Sequence, residues 1–99
     1  MLHLSNDNLY IVREILQKYV PQRMVYAFGS RVTSRHVKSH SDLDLCIMGQ
    51  PPLSLIDYAV LHEAFSESNL PIRVDIVDWE SSTPEFQQII QAQPIQRII

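Results

Sequence analysis

Three short apolar runs, at 24–28, 43–48 and 72–79, constrain the fold of this chain more than any other feature. Each is too short for a typical helix, and two end in turn formers: Gly29-Ser30 after the first, Gly49-Gln50-Pro51-Pro52 after the second. They read as buried strands. The stretches between them repeat apolar residues at helical spacing. Leu9, Val12, Ile15, Leu16, Tyr19 and Val20 form one stripe, capped by Ser5 or Asn6 and stopped by Pro21. Leu55, Ala59, Leu61, Ala64 and Phe65 supply a second, starting at Ser54 and ending at Asn69-Leu70-Pro71. Thr83-Pro84-Glu85 opens a third, with a hydroxyl cap, a proline in the first turn and an acid at the positive end of the helix dipole. Phe86, Ile89 and Ile90 continue it, and Pro94 stops it. A short helix fits near Ser30. The order is helix, strand, short helix, strand, helix, strand, helix. It predicts an α/β fold with a small mixed three-stranded sheet covered by helices.

Length and composition bound the rest. A chain of 99 residues predicts a single domain over 1–99. At 45% hydrophobic and 19% charged, it reads as globular. No apolar stretch is long enough to span a membrane, and Met1-Leu2-His3-Leu4-Ser5 does not resemble a secretory signal. The lone Cys46 excludes an internal disulfide and a multi-cysteine zinc site. The cytoplasm is the expected compartment.

The net charge of −3 hides an asymmetry. Lys18, Arg23, Arg31, Arg35 and Lys38 fall in a stretch, 15–41, that holds no acid, whereas 42–99 holds nine acids against Arg73 and Arg97. An anion site beside a cation site suits a metal–nucleotide complex; a solvated basic loop is the simpler alternative. The acidic balance argues against a nucleic-acid partner.

Three features carry chemistry. Gly29-Ser30 ends an apolar strand where a helix would begin. Glycine permits a sharp turn and close approach, and free N–H groups there suit phosphate oxygens, with Arg31 and Arg35 adding charge. An ordinary strand-to-helix turn has the same two residues. In Ser41-Asp42-Leu43-Asp44-Leu45, residues two apart share a strand face, so Asp42 and Asp44 aim together while the leucines face the core. Paired carboxylates repel, so a proton or a cation is required, and hard oxygen donors suit Mg²⁺. A solvent-facing strand edge with two acids is the alternative. Asp75, inside Arg73-Val74-Asp75-Ile76-Val77, is an acid in an apolar strand and needs a partner. Strands two and three side by side would bring it to Asp42 and Asp44. Asp78, at the end of that strand beside Trp79, suits a turn or cap.

Together these features resemble the nucleotidyltransferase superfamily of DNA polymerase beta and kanamycin nucleotidyltransferase. The motif stands here as Phe28-Gly29-Ser30, eleven residues, then Asp42-Leu43-Asp44, with Asp75 as the later acid. Ala27 to Val32, Ser41 to Leu45 and Glu63 to Ser68 resemble the minimal nucleotidyltransferase (MNT) group found beside HEPN-domain proteins. Ser34 stands where many of the wider family have glycine. The resemblance implies a polymerase-beta-like core moving AMP from ATP to a hydroxyl. Gly29, Ser30 and Arg31 would bind the nucleotide. Asp42, Asp44 and Asp75 would be catalytic and would hold two Mg²⁺ ions. The implied acceptor is a tyrosine of a partner HEPN toxin, giving the chain an antitoxin role. A small molecule such as an aminoglycoside is the alternative acceptor, and a non-catalytic binding antitoxin the alternative class. A homo-oligomer stays open.

Other signals are weaker. His36 and His40 with Asp42 have metal-ligand types on a loop, but a solvated or phosphate-side role fits better. His62 reads as a surface residue and Cys46 as a small buried hydrophobe. The tail Ile95-Gln96-Arg97-Ile98-Ile99 fits a protein interface or core packing equally. There is neither a P-loop nor a Gly-x-Gly-x-x-Gly motif, since the only glycines are Gly29 and Gly49.

Overall fold

The computed structural model describes residues 2–33, 37–38 and 40–99. Ser34, Arg35 and His36, named above, lie outside the described residues. The elements run α1 (Asn6–Tyr19), β1 (Val25–Phe28), α2 (Ser30–Thr33), β2 (Leu43–Ile47), α3 (Leu55–Ser66), β3 (Val74–Asp78), α4 (Pro84–Gln91) and β4 (Gln96–Arg97).

Local chemistry sets the helix starts. The side chains of Ser5, Ser54 and Thr83 accept hydrogen bonds from the backbone N–H groups of Asn8, Asp57 and Phe86, at 3.1, 3.0 and 3.2 Å. Each satisfies one donor that the first turn leaves unpaired.

The sheet order is β3-β2-β1-β4. β1 pairs antiparallel with β2 and with β4, and β2 pairs parallel with β3. The sheet is therefore mixed, as expected, with four strands where the sequence predicts three. β4 spans two residues, too short for any side-chain alternation to announce it. Backbone bonds secure this edge: Val25 N–H donates to the Ile99 carbonyl at 3.1 Å, and Ile98 N–H to the Val25 carbonyl at 2.8 Å.

The main core lies between the sheet and α1 with α3. Val12, Leu16, Leu61 and Phe65 meet Val25, Ala27, Leu43, Leu45, Ile47, Val74 and Ile76 there. Ile98 is buried in the same cluster, so at this position the tail packs into the core. On the other face α4 brings Ile90 and Phe86 to Phe28 and Cys46. Cys46 is buried, as expected, and burial followed by the nearby Asp78 charge pushes its thiol up to about 11. The two helical stripes are narrower than the sequence predicts. Tyr19 is exposed, with the Lys18 ammonium 5.3 Å from its ring centre. Leu55 is 84% exposed, and α3 is anchored by Leu61 and Phe65. This helix is apolar on nearly all sides, so its pattern selects no face.

Candidate active site

The site forms where β1 ends and β2 and β3 begin. Phe28 pairs with Asp44, and Asp44 pairs with Asp75. Directly paired residues share a sheet face, so one row across three strands carries Phe28 and both acids. Asp42 precedes β2 by one residue and lies two before Asp44. Asp42, Asp44 and Asp75 are all half-buried. The Leu43 N–H donates to the Arg73 carbonyl at 2.9 Å and locks the start of the β2–β3 ladder.

The turn after β1 leaves room for this row. Gly29 has φ of 80°, a left-handed conformation that favours glycine. A Cβ there would collide with Asp44 Oδ2. Glycine is thus needed twice, for the backbone angle and for the carboxylate that fills the space beside it. The Gly29 carbonyl accepts the N–H groups of Val32 and Thr33, both at 3.0 Å, and starts α2. Ser30 is the exposed first residue of that helix.

Asp44 is where the electrostatic strain concentrates. Burial, then the charge of Asp75, then that of Asp42 raise its carboxyl from 3.8 to about 6. The three acids therefore interact and call for positive charge. Arg73 supplies part of it: Nη2 lies 3.4 Å from Asp75 Oδ1 and Nε lies 3.9 Å from Asp42 Oδ2. Both contacts are solvent-exposed, so they are weak. Among the described residues, no group of three His, Cys, Asp or Glu side chains is gathered around one point for a metal ion. The donor set itself fits a hard divalent cation: carboxylate oxygens, no soft ligand, and a central carboxyl raised to about 6 by burial and then by its acidic neighbours.

Arg31, expected at the nucleotide, is buried and bonded to backbone carbonyls. It is 7% exposed, with Nε donating to the Ser41 carbonyl and Nη1 to the His3 carbonyl, both at 2.8 Å. Its own carbonyl accepts the His3 N–H at 2.7 Å. Arg31 ties the N-terminal segment, α2 and the approach to β2 together. A sequence shows an arginine beside a glycine–serine turn but not its burial. Asp78 has the expected turn role: Oδ2 accepts from Leu53 N–H at 3.3 Å and from the Ser81 hydroxyl. His40 is exposed, and His62 stacks on Tyr58 at the surface.

Two residues of the site escape a reading of the sequence. Arg73 carried a usable signal, since residues two apart in a strand share a face and Asp75 follows it by two. Gln93 carried none. Its Oε1 accepts the Gly29 N–H at 2.9 Å, across 64 positions of chain.

The family model "Polymerase beta, Nucleotidyltransferase" matches residues 11–96. The chain is 47% identical over 90 residues to the probable protein adenylyltransferase MntA of Haemophilus influenzae, covering 91% of this chain and 78% of that protein. A toxin–antitoxin complex crystallised with AMP-PNP superposes with a TM-score of 0.75 at 24% identity, over 93% of this chain and 73% of that one. An MNT antitoxin in complex with a tri-AMPylated HEPN toxin of Shewanella oneidensis gives a TM-score of 0.70 at 22% identity, over 97% of this chain and 72% of that one. At such identities the structural matches speak for the fold. The family model and the Haemophilus relative speak for kinship, and by both the chain belongs to the polymerase beta nucleotidyltransferase family, whose chemistry is nucleotidyl transfer.

Proposed function

We propose that this chain is a protein adenylyltransferase that moves AMP from ATP to a tyrosine hydroxyl of a partner HEPN toxin. The observation that carries the reading is the 47% identity to a probable protein adenylyltransferase over 91% of the chain. The tri-AMPylated HEPN toxin bound to a structurally similar MNT antitoxin supports the choice of acceptor. The row of Asp44 and Asp75, with Asp42 beside it, supports the choice of chemistry.

In this reading Gly29 and Ser30 receive the nucleotide's terminal phosphates at the start of α2. The acceptor hydroxyl oxygen attacks the α-phosphorus in line. The bond from that phosphorus to the α–β bridging oxygen breaks, and pyrophosphate leaves with the electron pair. Asp75 takes the hydroxyl proton. Asp42, Asp44 and Asp75 are the residues that would hold Mg²⁺. A bound divalent cation supplies charge neutralisation for the triphosphate and the leaving pyrophosphate. Arg31 acts from below, keeping α2 and the strand bearing Asp44 in register. Positioning and preorganised charge supply most of the rate.

The test is incubation of the purified chain with a purified HEPN toxin, ATP and Mg²⁺, followed by intact-mass and peptide mass spectrometry. The expected product is a HEPN protein carrying AMP on tyrosine, absent with Asp44→Asn. An unmodified HEPN protein that is still neutralised by the Asp44→Asn variant would overturn the reading in favour of a binding antitoxin. AMP found on an aminoglycoside and not on protein would favour the small-molecule acceptor.

A further inference from the structure

The Gly29 peptide is held on both sides by unrelated parts of the chain. On one side, its carbonyl is turned into α2 by bonds from Val32 and Thr33 N–H at 3.0 Å and from the Thr33 hydroxyl at 3.0 Å. On the other, its N–H is taken by Gln93 Oε1 at 2.9 Å. Gln93 follows α4, and its side-chain amide is fixed at its far end too, Nε2 donating to the Ile89 carbonyl at 3.2 Å. The two bonds fix the amide's orientation, because only the oxygen can accept from Gly29 and only the nitrogen can donate to Ile89. The same helix presses Phe86 edge-on against Phe28, ring centres 6.4 Å apart, one residue before the turn.

A trans peptide is planar, so a carbonyl turned one way sends the following N–H the other way. With the Gly29 carbonyl committed to α2, the Ser30 N–H points back from the helix, beside a glycine whose open side already faces Asp44. Fixing the Gly29 N–H as well removes the remaining freedom of a residue that is otherwise permissive, with φ of 80°. We infer that Gln93 is a positioning residue of the nucleotide site: it holds the Gly29–Ser30 turn in the conformation that receives phosphate, and it couples α4 to that turn. The inference rests on the nucleotidyltransferase reading for its ligand and on the Gly29–Gln93 bond for its geometry.

Gly29 and Gly49 are the only glycines, so their amide resonances are readily told apart in a ¹⁵N-labelled sample. The probe ligand is α,β-methylene ATP with Mg²⁺, which cannot be cleaved at the reacting bond. In Gln93→Leu, the Gly29 amide proton should move upfield and exchange faster with solvent, Gly49 staying where it is. Affinity for the analogue should fall about fivefold, the scale of one lost hydrogen bond. With ATP, KM should rise while kcat stays within about threefold. Gln93→Ala removes both bonds with less added bulk and serves as the second variant should the leucine protein not fold, with the same shift of the Gly29 resonance expected. An unchanged Gly29 resonance in Gln93→Leu would overturn the contact. A shifted resonance with unchanged affinity would overturn the positioning role. Wild-type protein that binds no nucleotide would overturn the nucleotide reading, while the Gly29 resonance would still judge the contact.

Discussion

Asp44 sits between two other carboxylates, and its behaviour with pH is the sharpest consequence at the scale of single residues. Its carboxyl is raised to about 6, from 3.8, by burial, Asp75 and Asp42. The folded state therefore keeps a proton that the unfolded chain releases. The resulting stability is fully present below about pH 3.8 and is lost as the pH rises through about 6. Asp44→Asn removes this dependence. In metal-free buffer, the variant should gain stability relative to wild type between about pH 4 and about pH 7, measured by urea unfolding at each pH. A constant difference between the two proteins would contradict the strained triad. Gly29 gives a second prediction. Gly29→Ala places a Cβ in a left-handed backbone and against Asp44 Oδ2. It should lower stability by about 1–3 kcal/mol and slow nucleotidyl transfer by about a hundredfold or more, since a small misplacement of a reacting group has that effect. Wild-type turnover in Gly29→Ala would mean that the carboxylate need not lie where it does.

Among the elements, what could be read from the sequence follows from the range of the forces involved. The helix starts at Ser54 and Thr83 were legible because a cap is a contact over three residues. The central strands were legible because a short apolar run has few other uses. Asp42 and Asp44 were legible as a pair because a period of two fixes which side chains share a face, and Asp75 because an acid inside an apolar strand needs a partner. β4 was not, because two residues of backbone pairing leave no trace in side-chain pattern. The exposed face of α3, with Leu55 and Ile56, was not, because a helix apolar all round does not say which side is covered. Burial of Arg31 and recruitment of Gln93 depend on segments 28 and 64 positions away. The tail offered two readings, and the burial of Ile98 at 4% exposure chooses core packing at that position. Ile98→Ala should therefore lower stability by about 2–4 kcal/mol in the isolated chain, read by urea unfolding. A loss below about 0.5 kcal/mol, the surface norm, would contradict that packing.

Across the whole molecule, the layers explain how so short a chain builds a site at all. α1 and α3 bury one face of the sheet. The other face carries Phe28, Cys46 and the acid row, and α4 covers its apolar part while reaching Gly29 through Gln93. Asp44 and Asp75 come from two parallel neighbours, β2 and β3, joined by the α3 crossover, so their alignment is set by sheet register, with Asp42 one residue before β2. The central claim is that this arrangement transfers a nucleotidyl group. The most direct measurement follows two labels in parallel, ³²P at the α-phosphate and ³²P at the γ-phosphate of ATP, with Mg²⁺ and the HEPN protein. The account predicts α-label on the HEPN protein, γ-label released as pyrophosphate, and neither result with Asp44→Asn. Label passing to the protein from the γ-phosphate, or α-label transfer that survives Asp44→Asn, would contradict it.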